Sequence, residues 1–296
     1  MMSDSGSPVV VGVDGSGSAL EAARWAAREA TRLAVPVRLV HSYTGIGHPG
    51  RQLTHDQLRE HGELRLRAAC TAVRESAPGV TVEKVLREGD PRVVLLDESR
   101  RAALVVLGSR GLSGVSRLIM GSAGLTLAVH ARCPVVVVRS PGYDRGPVVV
   151  GVDGWPACAA AVRFAFTEAA RFGAGLTAVR TWHNPGVAGP MAVHEEERAQ
   201  LIRQLSPLAR EFPQVPVEHV VLRGRPGRTL LEFGRHARML VVGTRGRTGF
   251  AGLLLGSTSQ AVVQQGTCPV AVVRSEDSDD RTEPAATTPA GAAAPV

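Results

Sequence analysis

Two tandem doubly wound α/β domains, each a five-stranded parallel sheet flanked by helices, are predicted by three observations. Short β-branched apolar runs alternate with helix-length stretches, the pattern of strands joined by crossover helices. The runs are continuously apolar, as in strands covered on both faces. The whole pattern then occurs twice. Val9-Val10-Val11-Gly12-Val13-Asp14-Gly15 matches Val148-Val149-Val150-Gly151-Val152-Asp153-Gly154, and Cys133-Pro134-Val135 matches Cys268-Pro269-Val270. The period of 135–139 residues is that of a domain, far longer than a solenoid repeat.

In chain order, Val9–Val13 reads as the first strand. Ser18–Leu33 is a helix with an alanine face (Ala19, Ala22, Ala23, Ala26, Ala30), capped by Ser16 or Ser18. Val37–Tyr43 is a strand, Gly45–Arg51 a loop, Leu53–Ser76 a charged amphipathic helix and Val80–Leu86 a third strand. Asp90-Pro91 opens a helix, aspartate as cap and proline at the first helical position. Strand Ala102–Leu107, helix Ser122–Ala131 and strand Pro134–Arg139 complete the first copy.

The second copy repeats the order. It runs strand Pro147–Val152, helix Ala157–Phe172, strand Leu176–Trp182, a helix from about Met191 to Phe212, and strand Val217–Leu222. Helix Gly227–His236, strand Met239–Val242, helix Ser257–Gln265 and strand Val270–Arg274 follow. The Pro- and Gly-rich stretch 140–147 is the linker. The domains are therefore set at 1–141 and 142–275. The tail 276–296, acidic and then rich in Ala, Thr and Pro, is expected to be disordered.

The 296 residues are 44% apolar but only 4% aromatic, so the cores should be aliphatic. The formal charge is +7, carried by scattered arginines, with Lys84 the only lysine. Without a basic run or interleaved aromatics, nucleic-acid binding is not expected. Cys70, Cys133, Cys158 and Cys268 form no CxxC pair and read as buried thiols of a reducing compartment. The polar, acidic start lacks the features of a secretory leader, and no apolar run reaches the ~20 residues of a membrane span. A cytoplasmic protein is expected.

Function is written in a glycine pattern. Gly108-Ser109-Arg110-Gly111, nine residues, then Gly121-Ser122 recurs as Gly243-Thr244-Arg245-Gly246, nine residues, then Gly256-Ser257. Each copy leaves a strand and ends at a helix start, where exposed amides and the helix dipole favour phosphate. A single copy could be an ordinary turn in a glycine-rich chain; recurrence in the same context favours phosphate binding.

These residues resemble the universal stress protein family, in its tandem, ATP-binding form, over residues 8–275. The resemblance rests on the Gly-Val-Asp-Gly strand ends, Gly89-Asp90-Pro91 and Gly224-Arg225-Pro226, the glycine signatures and the Cys-Pro-Val final strands. It implies a strand order 3-2-1-4-5 in each domain, with ligand in the crevice at the carboxyl ends of strands 1 and 4. It implies ATP, alone or with Mg2+, one per repeat. Asp14 and Asp153 would address adenine and ribose, and the backbones of Ser42 and Thr181 would read the adenine edge. Gly108, Gly111, Gly121 and Ser122, with Gly243, Gly246, Gly256 and Ser257, would cradle the phosphates. Arg110, Arg117, Arg245 and Arg247 lie where guanidinium could meet phosphate. The family also implies pairing of the fifth strands, making an intrachain pseudo-dimer, with a homodimer as a further assembly. The second copy departs at Trp155-Pro156 and at Arg180, which stands where the first has His41. The first crevice is thus the closer match.

No Walker lysine follows either motif, and none of the nine histidines pairs with a nucleophile. Binding rather than turnover is expected, with a weak ATPase or a nucleotide-free interaction module as the alternatives.

Overall fold

The computed structural model describes residues 6–44, 54–109, 122–139, 145–153, 157–183, 189–244 and 255–275. The first repeat runs β1 (Val9–Gly12), α1 (Gly17–Leu33), β2 (Val37–Tyr43), α2 (His55–Ser76), β3 (Val82–Glu88), α3 (Pro91–Ser99), β4 (Leu104–Gly108), α4 (Ser122–His130) and β5 (Val135–Val138). The second runs β6 (Val148–Gly151), α5 (Ala159–Phe172), β7 (Leu176–Trp182), α6 (Pro190–Glu211), β8 (Val217–Arg223), α7 (Pro226–Gly234), β9 (Met239–Gly243), α8 (Ser257–Gln265) and β10 (Val270–Val273).

Local chemistry sets the helix starts. Ser16, not Ser18, caps α1 by accepting the Ala19 N–H at 3.2 Å. Thr54 and Gln57 close a reciprocal capping box on α2. Asp90 caps α3 ahead of Pro91. The third strand begins two residues later than its apolar run suggests. Val80 is still in the turn that closes α2, its N–H bonded to the Ala77 carbonyl at 3.1 Å.

All ten strands form one sheet, in the order β3-β2-β1-β4-β5-β10-β9-β6-β7-β8. Each half has the order 3-2-1-4-5 with parallel neighbours. The halves join through β5 and β10, the one antiparallel pair among the described residues, so the expected pair of sheets is continuous. At its centre Val136 faces Ala271, each the second residue after its repeat's Cys-Pro, so equivalent residues of the two repeats oppose each other.

Alternate strand residues feed opposite faces. Val136, Val138, Ala271 and Val273 join one core beneath α1, α2, α5 and α6 that runs unbroken across the seam. Val137, Val270 and Val272 turn to the other face, under α4, α7 and α8. Cys70, Cys158 and Cys268 are buried; Cys133 is only partly so. Burial pushes the Cys133 and Cys268 thiols up to about 12, so both are inert at neutral pH. Among the described residues no helix is long and apolar enough to cross a membrane. The tail 276–296 lies outside the described residues.

Candidate functional site

In each half the strand order reverses beside the first strand: β1 lies between β2 and β4, and β6 between β7 and β9. Connections leave the two flanking strands in opposite directions there, which opens a crevice at the carboxyl ends.

In the first half, β1 ends at Gly12, where a Cβ would come within 2.8 Å of Leu107. Asp14 follows, and its Oδ1 accepts the Ser16 N–H at 2.8 Å, folding the chain into α1. Gly15 takes φ +87°, a left-handed angle suited to glycine. Gly108 needs its missing side chain because a Cβ would lie 2.6 Å from the Ser18 backbone. Its local reason is the close approach of α1, which draws the α1 start to the crevice. Pro36, just before β2, and Val40 within it accept N–H bonds from Val9 and Val13. By alternation Ser42 also turns its N–H and C=O toward the β1 side, past the end of that strand.

His41 sits below the crevice, 3% exposed, with Nδ1 2.6 Å from the Val13 carbonyl. A carbonyl only accepts, so Nδ1 carries the proton. Burial lowers the His41 pKa, helped by nearby Arg65, and the ring is neutral at pH 7. Arg65 of α2 reaches over this point, Nη1 3.5 Å from His41 Nε2. A Cβ on Gly15 would meet its side chain at 2.9 Å. Sequence reasoning missed Arg65, which looks like one charge among many on α2.

The second crevice is a cavity of about 570 Å3, within the ~300–1,000 Å3 of small-molecule sites. Its walls include five residues expected from the sequence: Asp153, Thr181, Gly243, Gly256 and Ser257. Thr181 continues the β7 series in which Gly175 and Val179 bond to β6, so its backbone polar groups turn to the crevice side. The Gly243 carbonyl accepts the Ser259 hydroxyl at 2.6 Å, and the Thr244 carbonyl accepts the Gly256 N–H at 2.9 Å. These bonds hold the start of α8 against the end of β9. Gly256 is the α8 N-cap, and among the described residues it makes no side-chain cap bond. The first-turn amides and positive dipole end of α8 belong to wall residues of the cavity, Gly256, Ser257, Thr258 and Ser259.

Trp182 forms another wall. It is 7% exposed, and its indole nitrogen has no hydrogen-bond partner among the described residues. Arg180 is buried below, donating to Glu197 through Nε, to Gln200 at 2.8 Å and to Gln204 at 3.0 Å. Glu197 also lines the cavity. Nothing in the spacing of the sequence announced this cluster.

Arg110, Gly111, Arg117, Gly121, Arg245, Gly246 and Arg247 lie outside the described residues. So does the side chain of Ser122, whose backbone begins α4. No group of three or more His, Cys, Asp or Glu suited to a metal ion occurs among the described residues.

A tandem, doubly wound α/β protein with a crevice at each switch point is what the fold and site define. A model of the universal stress protein family matches residues 7–139 and again 145–274. The chain is 36% identical over 283 residues to a universal stress protein of Mycolicibacterium smegmatis, covering 90% of this chain and 96% of that one. It is 33% identical over 295 residues to one of Mycobacterium tuberculosis, with the same coverage. The crystal structure of an Archaeoglobus fulgidus universal stress protein superposes with TM-score 0.70 at 19% identity, covering 90% of this chain and 98% of that one, a likeness of fold. The chain belongs to the universal stress protein family.

Proposed function

We propose that the chain binds ATP, one molecule per repeat, and acts through occupancy rather than turnover. One observation carries the reading: the second crevice is a ligand-sized cavity walled at one side by the start of α8 and at another by Asp153 and Thr181. The α8 amides suit phosphate. The Asp153 carboxylate suits a hydroxyl or amine. The Trp182 N–H, without a partner among the described residues, is a buried donor that a ligand acceptor would satisfy. A helix N-terminus supplies only ~0.3–1 kcal/mol, whereas micromolar binding requires about 8 kcal/mol. Several amides, hydroxyls and burial of the base must act together.

Helix α8 offers a route from occupancy to the seam. Its start walls the cavity, and near its end the Gln264 carbonyl accepts Arg139 of the first repeat at 2.7 Å. A phosphate at one end and a guanidinium at the other both align with its dipole.

The test is calorimetric titration of apoprotein with ATP, beside Ser257→Asp. A carboxylate at the first helical position favours α8 but repels phosphate, so the variant should fold normally and lose one of two ATP equivalents. Unchanged stoichiometry, or no heat from the parent protein at millimolar ATP, would overturn the reading.

A further inference from the structure

The repeats differ beneath their crevices. The buried α2 residues Leu66, Cys70 and Val73 correspond to Leu201, Leu205 and Leu208 of α6, a constant offset of 135 residues. On that register Gly62 corresponds to Glu197 and Arg65 to Gln200, while on the strands His41 corresponds to Arg180.

In the first repeat Gly62 leaves room for the His41 ring, which a Cβ would approach to 2.8 Å, and Arg65 stands exposed over the turn after β1. In the second, the arginine is on the strand instead. Arg180 is 3% exposed, and such a charge in an apolar setting requires a partner. Glu197 supplies it, with Gln204 accepting from Nη1 and Gln200 from Nη2. The consequence reaches the cavity. Where the first crevice has an exposed guanidinium nearby, the second has a carboxylate in its wall, 16% exposed and held in place from below.

We propose that Glu197, oriented by Arg180, makes the second crevice selective for a nucleotide whose base or sugar donates a hydrogen bond to it. The proposal rests on the nucleotide reading above. An ionised carboxylate only accepts, so an exocyclic amine or a ribose hydroxyl satisfies it. An analogue lacking that donor loses its hydrogen bond to a half-buried carboxylate in the wall, and a site built to bond a donor discriminates against such analogues. Arg180 is a positioning residue: it touches Glu197 and fixes which way the carboxylate faces.

Trp182 makes the second crevice separately readable. The chain has three tryptophans, and Trp25→Phe with Trp155→Phe leaves Trp182 in the cavity wall as the sole indole. In that background the full-length protein is titrated with ATP, 2′-deoxy-ATP and purine riboside triphosphate, which lacks the amine. ATP should bind at least about tenfold tighter than one of the two analogues. Glu197→Gln should bring that analogue and ATP together. The double variant Arg180→His with Glu197→Gly installs the first repeat's pair, removes both charges and should do the same if Glu197→Gln fails to fold. Equal binding of all three by the parent, or undiminished discrimination in the folded variants, overturns the proposal and leaves nucleotide binding standing. No fluorescence change together with no calorimetric heat for any nucleotide overturns both.

Discussion

Glu29 of α1 and Glu168 of α5 occupy the same position of the two repeats and lie close enough to interact electrostatically. Neither has any exposure to solvent. Each is held by the arginine one turn on, Arg32 at 2.5 Å and Arg171 at 2.6 Å. One oxygen of each, Glu29 Oε1 and Glu168 Oε2, has no hydrogen-bond partner among the described residues. The strands beneath, β5 and β10, offer only apolar side chains. Two carboxylates brought together in an apolar setting repel each other, which favours a proton on one of them. Burial first, and then Glu29, raise the Glu168 pKa to about 7.

That shift gives the fold a pH dependence. A carboxyl whose folded pKa is raised stabilises the fold fully below its unfolded value and loses that contribution as pH rises through the folded value. Stability from Glu168 should therefore fall between about pH 4.5 and 7, by no more than about 3 kcal/mol. Glu168→Gln should flatten this limb, read as urea midpoints from pH 4.5 to 8. An unchanged slope would mean that Glu168 does not keep its proton in the fold.

His41 acts with the opposite sign. Its folded pKa is lowered, chiefly by burial, so its contribution is complete above the unfolded value of about 6.5 and is lost as pH falls below it. His41→Gln should reduce the acid-side loss, measured in the same titration, and leave the limb due to Glu168 in place.

Two glycines at the first crevice make a matched pair. Gly17→Ala meets nothing within 4 Å at the start of α1 and should stabilise by about 0.5 kcal/mol through helix propensity. Gly108→Ala places its Cβ 2.6 Å from the Ser18 backbone and should destabilise by at least about 2 kcal/mol. Chemical denaturation separates the two. Equal effects would mean that α1 is not packed on Gly108.

Arg139→Ala removes the cation from the α8 carboxyl end without touching the cavity. A weakening of ATP binding by about two- to fivefold, with both equivalents retained, is expected from loss of one dipole-end charge. Unaltered affinity would show that α8 does not link the seam to the crevice.

The short-range features of this protein were legible in the sequence. Strands Val37–Tyr43 and Leu176–Trp182 and helix Ser257–Gln265 have the bounds their apolar patterns predict. Asp90 caps where its spacing says it should. Periodicity and capping are set by residues within about four positions of one another, so the chain alone determined them, and with them the alternation that makes a doubly wound sheet. The duplication was equally plain, because repetition is a property of sequence.

Contacts between distant residues were decided by the tertiary structure. Only folding shows that Glu29 comes near Glu168 across 139 residues, or that His41 donates a hydrogen bond to the Val13 carbonyl. Arg180 draws Glu197 into the wall of the second crevice, although that crevice is the poorer match by motif. A charged residue on a helix reads the same whether it faces water or a buried partner. The difference is a desolvation energy, and it exists only once another element has been packed against it.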